Sequence, residues 1–490
     1  MIRMAALRKN SWSSCLQCLL SLCLSSTFAL VTRDTYKAGQ VSAVPNIDWM
    51  RLHGSGQNQQ SSLPVRDPND QNVHPVLPYP GSRQGVSHWA DHHGQLWMMG
   101  GWGFDGSGGE QPKFLNDVWL YDSARDKWKC LRDSETSNAA PDPRHSGASC
   151  GVHATGFVVY AGSGLNSKAY NDTWVYEISN ATWLKILGGK DTPPGRSDPV
   201  HWCLRDSLVI YGGLDVAQKS LSDLWMFSFK DVAWKRLEQG SVPKNSDGTD
   251  LMPTPRHGAA AWAHSRDKLF MFGGRNSNGY LSDMWVYSLK EKSWTLVHDK
   301  QKPETGTLGI PAADVFPPAS AHHATWLDAK FNLILFGGEN PSLLPDLWQF
   351  NTATSQWMWL GRQSLPVYKQ SQNTKNFPSA RSHGMSWSFK NVMYLLGGYV
   401  LDLQNNTALS NEMFVLTKDN VTYFFSTDDK WLHLMPASTI FIIILSTFTG
   451  IALTIGAGFF IKKTFEHPRH KNGEFDVRYS PLAQETTLEM

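Results

Sequence analysis

The stretch Leu96-Trp-Met-Met-Gly-Gly101 recurs, with changes, six times in this chain of 490 residues. Each copy is a short apolar run that ends in a Gly pair, except that Ala161 replaces the first Gly of the second copy. The runs end at Gly101, Gly162, Gly213, Gly274, Gly338 and Gly398, so that successive copies lie 51 to 64 residues apart. Such a period indicates a repeat architecture in which each unit buries its faces against its neighbours.

Aromatic residues occupy three further positions of each repeat. One precedes the Gly pair: Trp89, Trp202, Trp262, Trp326 and Trp387, with Cys150 in the second copy. A second follows the Gly pair: Trp119, Trp174, Trp225, Trp285, Trp348 and Phe414. The third always comes nine residues later: Trp128, Trp183, Trp234, Trp294, Trp357 and Tyr423. The constant interval predicts a hairpin of fixed length, and the apolar run suits an inner strand buried on both faces.

The apolar run with its Gly pair, the later Asp-x-Trp and the Trp nine residues beyond it resemble kelch repeats. The resemblance covers residues 81–425, although Phe414 and Tyr423 depart from Trp in the sixth copy. It implies an all-β fold, a six-bladed kelch-type β-propeller. Two closures of the ring are open: residues 49–52 add a strand to the sixth sheet, which we favour, or Tyr423 closes its own sheet.

Two apolar segments predict a single-pass type I membrane protein. Residues 1–29 have the basic start, apolar core and small-residue end of a signal peptide, and an N-terminal segment, 30–80, follows. After a stalk at 426–436, residues 437–461 carry no charge and are long enough to cross a bilayer. Lys462-Lys463 then place the short disordered tail, 462–490, in the cytoplasm. The expected location is the plasma membrane or endosomal system, with the N-terminus extracellular or lumenal.

Glycosylation and cysteine usage fit that route. The predicted glycosylation sites are Asn171, Asn180, Asn405 and Asn420. Outside the signal peptide the chain has three cysteines, which permit at most one internal disulfide. The nearest pair, Cys130 and Cys150, is the candidate, which leaves Cys203 unpaired or bonded to another chain.

The connections between strands 2 and 3, and between each strand 4 and the next strand 1, vary in length and share one face of the predicted ring. Variable loops on a rigid scaffold commonly form binding surfaces. The candidate ligand-binding residues directly follow the Gly pairs: Trp102, Ser163, Leu214, Arg275, Glu339 and Tyr399. The alternative is that they merely line a solvated channel.

Charged residues that recur in register have structural roles in this interpretation. Arginines precede five of the Gly pairs: Arg83, Arg144, Arg196, Arg256 and Arg381, with Ser320 in the fifth copy. We expect them to cap loop carbonyls rather than to attract an anion. The recurring acidic residues are expected to cap strand turns: Asp117, Asp172, Asp223, Asp283 and Asp346.

The sequence contains no Gly-x-Ser-x-Gly motif, phosphate-binding loop or zinc signature, so no metal or cofactor is expected. His92-His93 and His322-His323 lack metal-ligand spacing, so we interpret them as solvated turn residues. Some kelch propellers are copper radical oxidases with a Tyr-His dipeptide, which this sequence lacks. The net charge of +2 argues against nucleic-acid binding.

The sequence therefore predicts a non-enzymatic binding protein whose extracellular or lumenal propeller recognises a protein or glycan. Tyr479 and Leu482 form a Tyr-x-x-Leu motif, a candidate endocytic sorting signal for a clathrin adaptor. The alternatives are a membrane-tethered enzyme with its active site at the propeller mouth, and an endosomal cargo receptor.

Overall fold

The computed structural model describes residues 47–53, 79–91, 93–105, 111–132, 140–152, 155–187, 191–237, 252–299, 306–362, 377–389, 391–401 and 406–418. The predicted signal peptide, stalk, transmembrane segment and tail lie outside these ranges, as do Asn405, Asn420, Tyr423, Tyr479 and Leu482. No helix among the described residues is long and apolar enough to span a membrane.

The described residues are almost entirely β-strand, and each sequence repeat forms one antiparallel sheet, named here sheet 1 to sheet 6. The strands up to the end of sheet 3 are β1 (Ile47–His53), β2 (Arg83–Gln84), β3 (Ser87–Ala90), β4 (Gln95–Gly103), β5 (Lys113–Asp122), β6 (Lys127–Arg132), β7 (Ala148–Val152), β8 (Gly156–Tyr160), β9 (Thr173–Glu177), β10 (Thr182–Ile186), β11 (Val200–Cys203), β12 (Ser207–Tyr211), β13 (Leu224–Ser228) and β14 (Ala233–Arg236). A 3-10 helix spans Leu165–Ser167.

The second half of the ring repeats the pattern and adds small hairpins. Its strands are β15 (Ala260–Ala263), β16 (Lys268–Phe272), β17 (Arg275–Asn276), β18 (Gly279–Tyr280), β19 (Met284–Ser288), β20 (Ser293–His298), β21 (Ala324–Leu327), β22 (Leu333–Phe336), β23 (Glu339–Asn340), β24 (Ser342–Leu343), β25 (Leu347–Asn351), β26 (Gln356–Gly361), β27 (Arg381–Ser382), β28 (Met385–Phe389), β29 (Val392–Leu396), β30 (Tyr399–Leu401), β31 (Thr407–Leu409) and β32 (Met413–Lys418).

The apolar runs form the second strand of each sheet and are buried, as the sequence indicates. In β8, β12, β22 and β29 every residue is buried. Their side chains pack on both sides because each sheet is sandwiched between two others, and the aromatic positions fill the spaces between sheets.

The six sheets close into a ring through their first strands. In cyclic order β3, β7, β11, β15, β21 and β28 each contact the next, and β28 contacts β3. Sheet 6 has the strand order β1-β32-β29-β28, so the N-terminal strand supplies its outer strand. Trp49 lies opposite Leu416 in the β1–β32 pair and packs against Trp326 and Phe336 of sheet 5. The two ends of the repeat region are thereby joined within one sheet.

The recurring arginines are buried and bind the recurring acidic residues of their own repeat. Arg256 donates to both carboxylate oxygens of Asp283, at 2.6 and 2.7 Å, and to the carbonyl of Gly273, at 3.0 Å. Equivalent buried ion pairs occur at four other positions: Arg83–Asp117, Arg144–Asp172, Arg196–Asp223 and Arg381–Glu412. The second and third of these are also bidentate, whereas the first and the fourth have one hydrogen bond to the carboxylate each. The expectation that the recurring aspartates cap strand turns is therefore wrong for the four in sheets 1 to 4, because they neutralise buried guanidinium groups. In sheet 5, where Ser320 replaces the arginine, Asp346 contacts the indole of Trp359 and the partly exposed Arg362.

The disulfide prediction is also wrong, because the bond joins Cys150 to Cys203. Cys130 lies on β6, the outer strand of sheet 1, whereas Cys150 lies on β7, an inner strand of sheet 2. The inner strand β11 carries Cys203 beside β7, and the two Cα atoms are 5.0 Å apart. Proximity along the chain thus misled the prediction, since a propeller brings equivalent strands of adjacent repeats together.

The connections divide between two faces of the ring. On the mouth face, a residue after each Gly pair bridges to the segment that precedes a first strand, as in Ser163 with His145 and Leu214 with Ser197. On the turn face, the 3–4 turns bond to the 1–2 turns, as in Ser123 Oγ donating to the carbonyl of Gly94. The described ends of the 2–3 and 4–1 connections therefore share the mouth face.

Candidate binding site at the channel mouth

The first strands surround a central channel with a cavity of about 500 Å³. Its mouth is formed by six residues at one equivalent position, two residues after each recurring arginine or its replacement Ser320: Gly85, Ser146, Asp198, Gly258, His322 and His383. All six have φ between +49° and +62°, a conformation that costs energy for residues other than Gly. We name these residues the mouth ring.

Backbone hydrogen bonds link the mouth ring from sheet to sheet. The amide of Ser146 donates to the carbonyl of Gly85, and that of Asp198 to the carbonyl of Ser146. The series continues from Gly258 to Asp198, from His322 to Gly258 and from His383 to His322, with N···O distances of 2.8 to 3.1 Å. These bonds stabilise the left-handed backbone conformation. Four of the six residues are not glycine, so their side chains are available at the mouth.

The six candidate residues from the sequence surround this ring on the mouth face. Each bridges or pairs with the residue that follows the recurring arginine or Ser320, as Trp102 does with Gln84 and Tyr399 with Ser382. Arg275 is exposed, and the other five are half-buried. The structure therefore brings all six to one face, and their role in binding remains a prediction.

Aromatic rings and charged groups both occur around the mouth. Trp102 packs edge-on against Phe114, whose ring lies 5.4 Å from that of His145. In sheet 6, next to sheet 1, Tyr399 packs edge-on against His383. In sheet 4 the guanidinium of Arg275 lies 5.1 Å from the ring of Tyr280. Such a mixture of aromatic and charged groups is typical of protein-recognition surfaces.

Histidines are concentrated at the mouth, and the interpretation of His322-His323 as solvated turn residues is wrong. His322 belongs to the mouth ring, and His323 bonds to the hydroxyl of Ser320 at 2.8 Å. Burial lowers the pKa of His323 to about 3. Burial likewise lowers the pKa of His383 to about 3 and that of His257 to about 4, so these rings are neutral at pH 7.

Two carboxylates stand among these rings. Burial disfavours the charge of Glu339, but hydrogen bonds from His322 and Ser382 and the nearby His383 outweigh it, so its pKa falls to about 2. Burial opposes the charge of Asp198 as well, and the surrounding histidines keep its pKa below the ordinary value. Both groups are therefore anionic at neutral pH.

Sequence reasoning missed Asp198, His383 and the role of His322. The signal was present, because all six mouth-ring residues hold the same position after the recurring arginine or Ser320. The position looks unremarkable in the sequence since its six residues share no chemical type, only a backbone conformation.

Large exposed apolar side chains concentrate on the mouth face. Within the described ranges, five lie in its loops: Leu165, Leu187, Val216, Ile310 and Leu401. Phe331 and Val232 lie in turns of the opposite face, and Leu184 lies on an outer strand. Leu165 and Val216, 68% and 71% exposed, occupy equivalent loops of the adjacent sheets 2 and 3. Exposed apolar side chains that share one face can contribute to a surface that a partner covers.

Four-stranded sheets built on the kelch pattern, joined through their inner strands, define a kelch-type β-propeller protein. Comparison with protein families agrees: the KLHDC2/KLHL20/DRC7 Kelch-repeats domain matches residues 87–313 and 200–360, together more than half of the chain. The chain therefore belongs to this kelch-repeat family, which confirms the resemblance seen in the sequence.

Three relatives illustrate the range of proteins that share the repeats. The chain is 27% identical to an F-box/kelch-repeat protein of Arabidopsis thaliana over 236 residues, 44% of each protein. It is 26% identical to human Host cell factor 1 over 287 residues, 56% of this chain and 13% of that protein. It is 26% identical to human Leucine-zipper-like transcriptional regulator 1 over 310 residues, 62% of this chain and 32% of that protein. The matches cover less than half of each relative's length.

Proposed function

We propose that this protein is a membrane-anchored, non-enzymatic recognition protein whose six sheets are the blades of a propeller that binds a partner through the mouth face. Kelch-repeat relatives point to a protein-binding role. The partner is an extracellular or lumenal protein, or a glycan carried by one.

The observation that carries this proposal is the pair of exposed side chains, Leu165 and Val216, on adjacent loops of the mouth face. Apolar groups at the tips of loops make no contribution to the core, whereas burial against a partner favours binding by about 25 cal/mol per Å² of apolar area. Arg275 and Lys168 supply charges on the same face. Exposed apolar side chains together with charged ones favour a protein over a bare glycan as the partner.

Capture of partners by the full-length protein on cells tests the proposal. Leu165→Asp and Val216→Asp place a charge on the mouth face, and we expect each to reduce the amount of captured partner at least tenfold. The matched control is Phe331→Asp, since Phe331 is 56% exposed in a 1–2 turn on the opposite face. Equal loss in all three variants, or loss only with Phe331→Asp, would refute the assignment of the face.

Anchoring by residues 437–461 and passage through the secretory route have a separate test. Asn171 and Asn180 are both exposed, so glycans at these positions fit the structure. We expect the protein to resist extraction by alkaline carbonate, and Asn171→Gln and Asn180→Gln each to remove one glycan from its mass. A protein that carbonate extracts, with no glycan, would exclude this topology.

We further propose that Tyr479 and Leu482 direct internalisation by a clathrin adaptor. Such motifs bind as extended strands in which the Tyr and the bulky apolar residue contact the adaptor. Tyr479→Ala should raise the density of the protein at the cell surface, whereas Ser480→Ala, at a variable position of the motif, should not. Unchanged surface density of Tyr479→Ala would exclude the sorting role.

A further inference from the structure

Three members of the mouth ring, contributed by sheets 3, 5 and 6, place metal-ligating groups together. Ligand atoms of Asp198, His322 and His383 all lie within 4.8 Å of one another. The residues are separated by up to 185 positions in the chain, so only closure of the ring brings them together. A set of two imidazoles and one carboxylate is a common set of protein ligands for Zn²⁺.

One ring nitrogen of His322 is buried and lacks a hydrogen-bond partner among the described residues. Its side chain is only 10% exposed, and within the described part of the chain its Nε2 has no hydrogen-bond partner. A buried polar atom without a partner is costly, so its persistence in a native protein points to a group that it binds.

The other nitrogen of His322 contacts a carboxylate, as the second nitrogen of a metal-binding histidine commonly does. Its Nδ1 lies 3.2 Å from a carboxylate oxygen of Glu339, and the other oxygen of Glu339 accepts a hydrogen bond of 2.9 Å from Ser382. A carboxylate at Nδ1 fixes the tautomer in which the Nε2 lone pair is available to a metal ion. Glu339 is thus a positioning residue rather than a ligand.

Gly258 of the neighbouring sheet 4 leaves space beside Nε2 of His322. A Cβ atom added to Gly258 would overlap the imidazole of His322, with Nε2 as its nearest atom. Other members of the mouth ring, such as Ser146, carry side chains at almost the same φ. The backbone conformation therefore does not require Gly at position 258. The imidazole of His322 requires it, because a side chain there would overlap the ring.

From these contacts we propose that Asp198, His322 Nε2 and His383 Nε2 bind a divalent transition-metal ion, Zn²⁺ by preference, at the mouth of the channel. His383 uses Nε2 because its Nδ1 bonds to Ser382, at 3.1 Å. Three protein ligands leave a fourth position of a tetrahedral ion open, on the face that we propose to meet the partner.

Binding requires a small rearrangement of the two rings. They stack with centroids 3.7 Å apart and planes 19° apart, whereas an ion must lie in the plane of each imidazole that binds it. The three ligand atoms must also draw together to about 3.4 Å, the separation that bonds of about 2.1 Å give around tetrahedral Zn²⁺. Because the Glu339 carboxylate holds His322, we expect the His383 ring to turn about its Cβ–Cγ bond.

The test measures the metal directly and needs no partner, so it is independent of the proposed function. The purified full-length chain is stripped with a chelator, dialysed against Zn²⁺ buffered at 1 µM or below, and its zinc content is measured by mass spectrometry; Co²⁺ absorption reports the ligand geometry. We expect one ion per chain, with a loss of at least 100-fold in affinity for Asp198→Asn and of about 10- to 100-fold for Glu339→Gln.

Two further variants separate this site from loss of folding and from adventitious histidines. Gly258→Ala keeps all three ligands and fills the space at Nε2, and it should weaken binding at least tenfold. His264→Gln removes a histidine from a 1–2 turn on the opposite face and should leave the stoichiometry unchanged. Each variant is compared only if its metal-free unfolding midpoint matches the wild type. No zinc on the wild type, or equal zinc on wild type and Asp198→Asn, would overturn the proposal.

Discussion

Replacing Asp283 by Asn leaves a guanidinium group buried without its counter-ion. Arg256 is fully buried and donates two charge-assisted hydrogen bonds to Asp283, at 2.6 and 2.7 Å. The second carboxylate oxygen also accepts from the indole of Trp285. An Asn amide retains one oxygen but turns an NH₂ group towards the complex, so at least one of the bonds to Arg256 or Trp285 is lost.

The expected cost of Asp283→Asn is about 3–5 kcal/mol in the free energy of unfolding, the range for removing one partner of a buried ion pair. The fifth repeat supplies the matched control because Ser320 replaces the arginine there. Asp346 bonds instead to the indole of Trp359 and to Arg362, whose side chain is 34% exposed. Burial raises the pKa of Asp346, whereas hydrogen bonds from Arg256 outweigh burial and lower that of Asp283. Asp346→Asn should therefore cost about 1 kcal/mol.

Urea unfolding of the full-length chain, followed by tryptophan fluorescence, compares the two variants. The lowered pKa of Asp283 means that its stabilisation is present above the unfolded pKa of about 4 and is lost as the pH falls through the folded value. The difference in the free energy of unfolding between the two variants should thus narrow in strong acid. Equal shifts of the midpoint at pH 7, or a larger shift for Asp346→Asn, would refute the claim that the buried Arg–Asp pairs stabilise the sheets.

Three further predictions concern closure, the disulfide and acid stability. Trp49→Ala should lower the free energy of unfolding by about 3–5 kcal/mol, because it empties a buried aromatic site between sheets 5 and 6; a loss below 1 kcal/mol would contradict the role of β1 in closure. Reduction of Cys150–Cys203 should lower it by about 2–4 kcal/mol, and peptide mapping without reductant should recover this pair and not one with Cys130. Burial lowers the pKa of His201 to about 4, so the folded state keeps the ring neutral while the unfolded state protonates below pH 6.5. The free energy of unfolding should therefore fall by about 1.4 kcal/mol per pH unit between pH 6.5 and 4. His201→Gln should flatten this dependence in calorimetry, and an unchanged slope would contradict the prediction.

The sequence was sufficient for features that the repeat itself encodes. The apolar runs predict the buried second strands, and the interval of nine residues predicts the 3–4 hairpins, because strand burial and turn length follow from local pattern. The structural role of the arginines was also predictable from their register. Their carboxylate partners were not, since pairing across 27 to 34 residues requires the geometry of the sheet.

Features that depend on closure of the ring could not be predicted from the sequence. Cys203 reaches Cys150 only because equivalent inner strands of adjacent sheets lie side by side. Asp198 and His383 meet only because sheets 3 and 6 face the same channel, and left-handed backbone at four residues other than Gly has no signature in composition. The candidate residues after the Gly pairs were placed correctly on one face, but the mouth ring beside them was missed.

Cross-linking of the captured complex, followed by mass spectrometry, tests most directly whether the mouth face binds the partner. Lys168 and Lys219 lie in the 2–3 loops of sheets 2 and 3, and Lys230 and Lys290 lie in 3–4 turns on the opposite face; all four are exposed. We predict that the partner cross-links to Lys168 and Lys219 and that Lys230 and Lys290 remain unlinked to it. Cross-links confined to Lys230 and Lys290 would contradict the account.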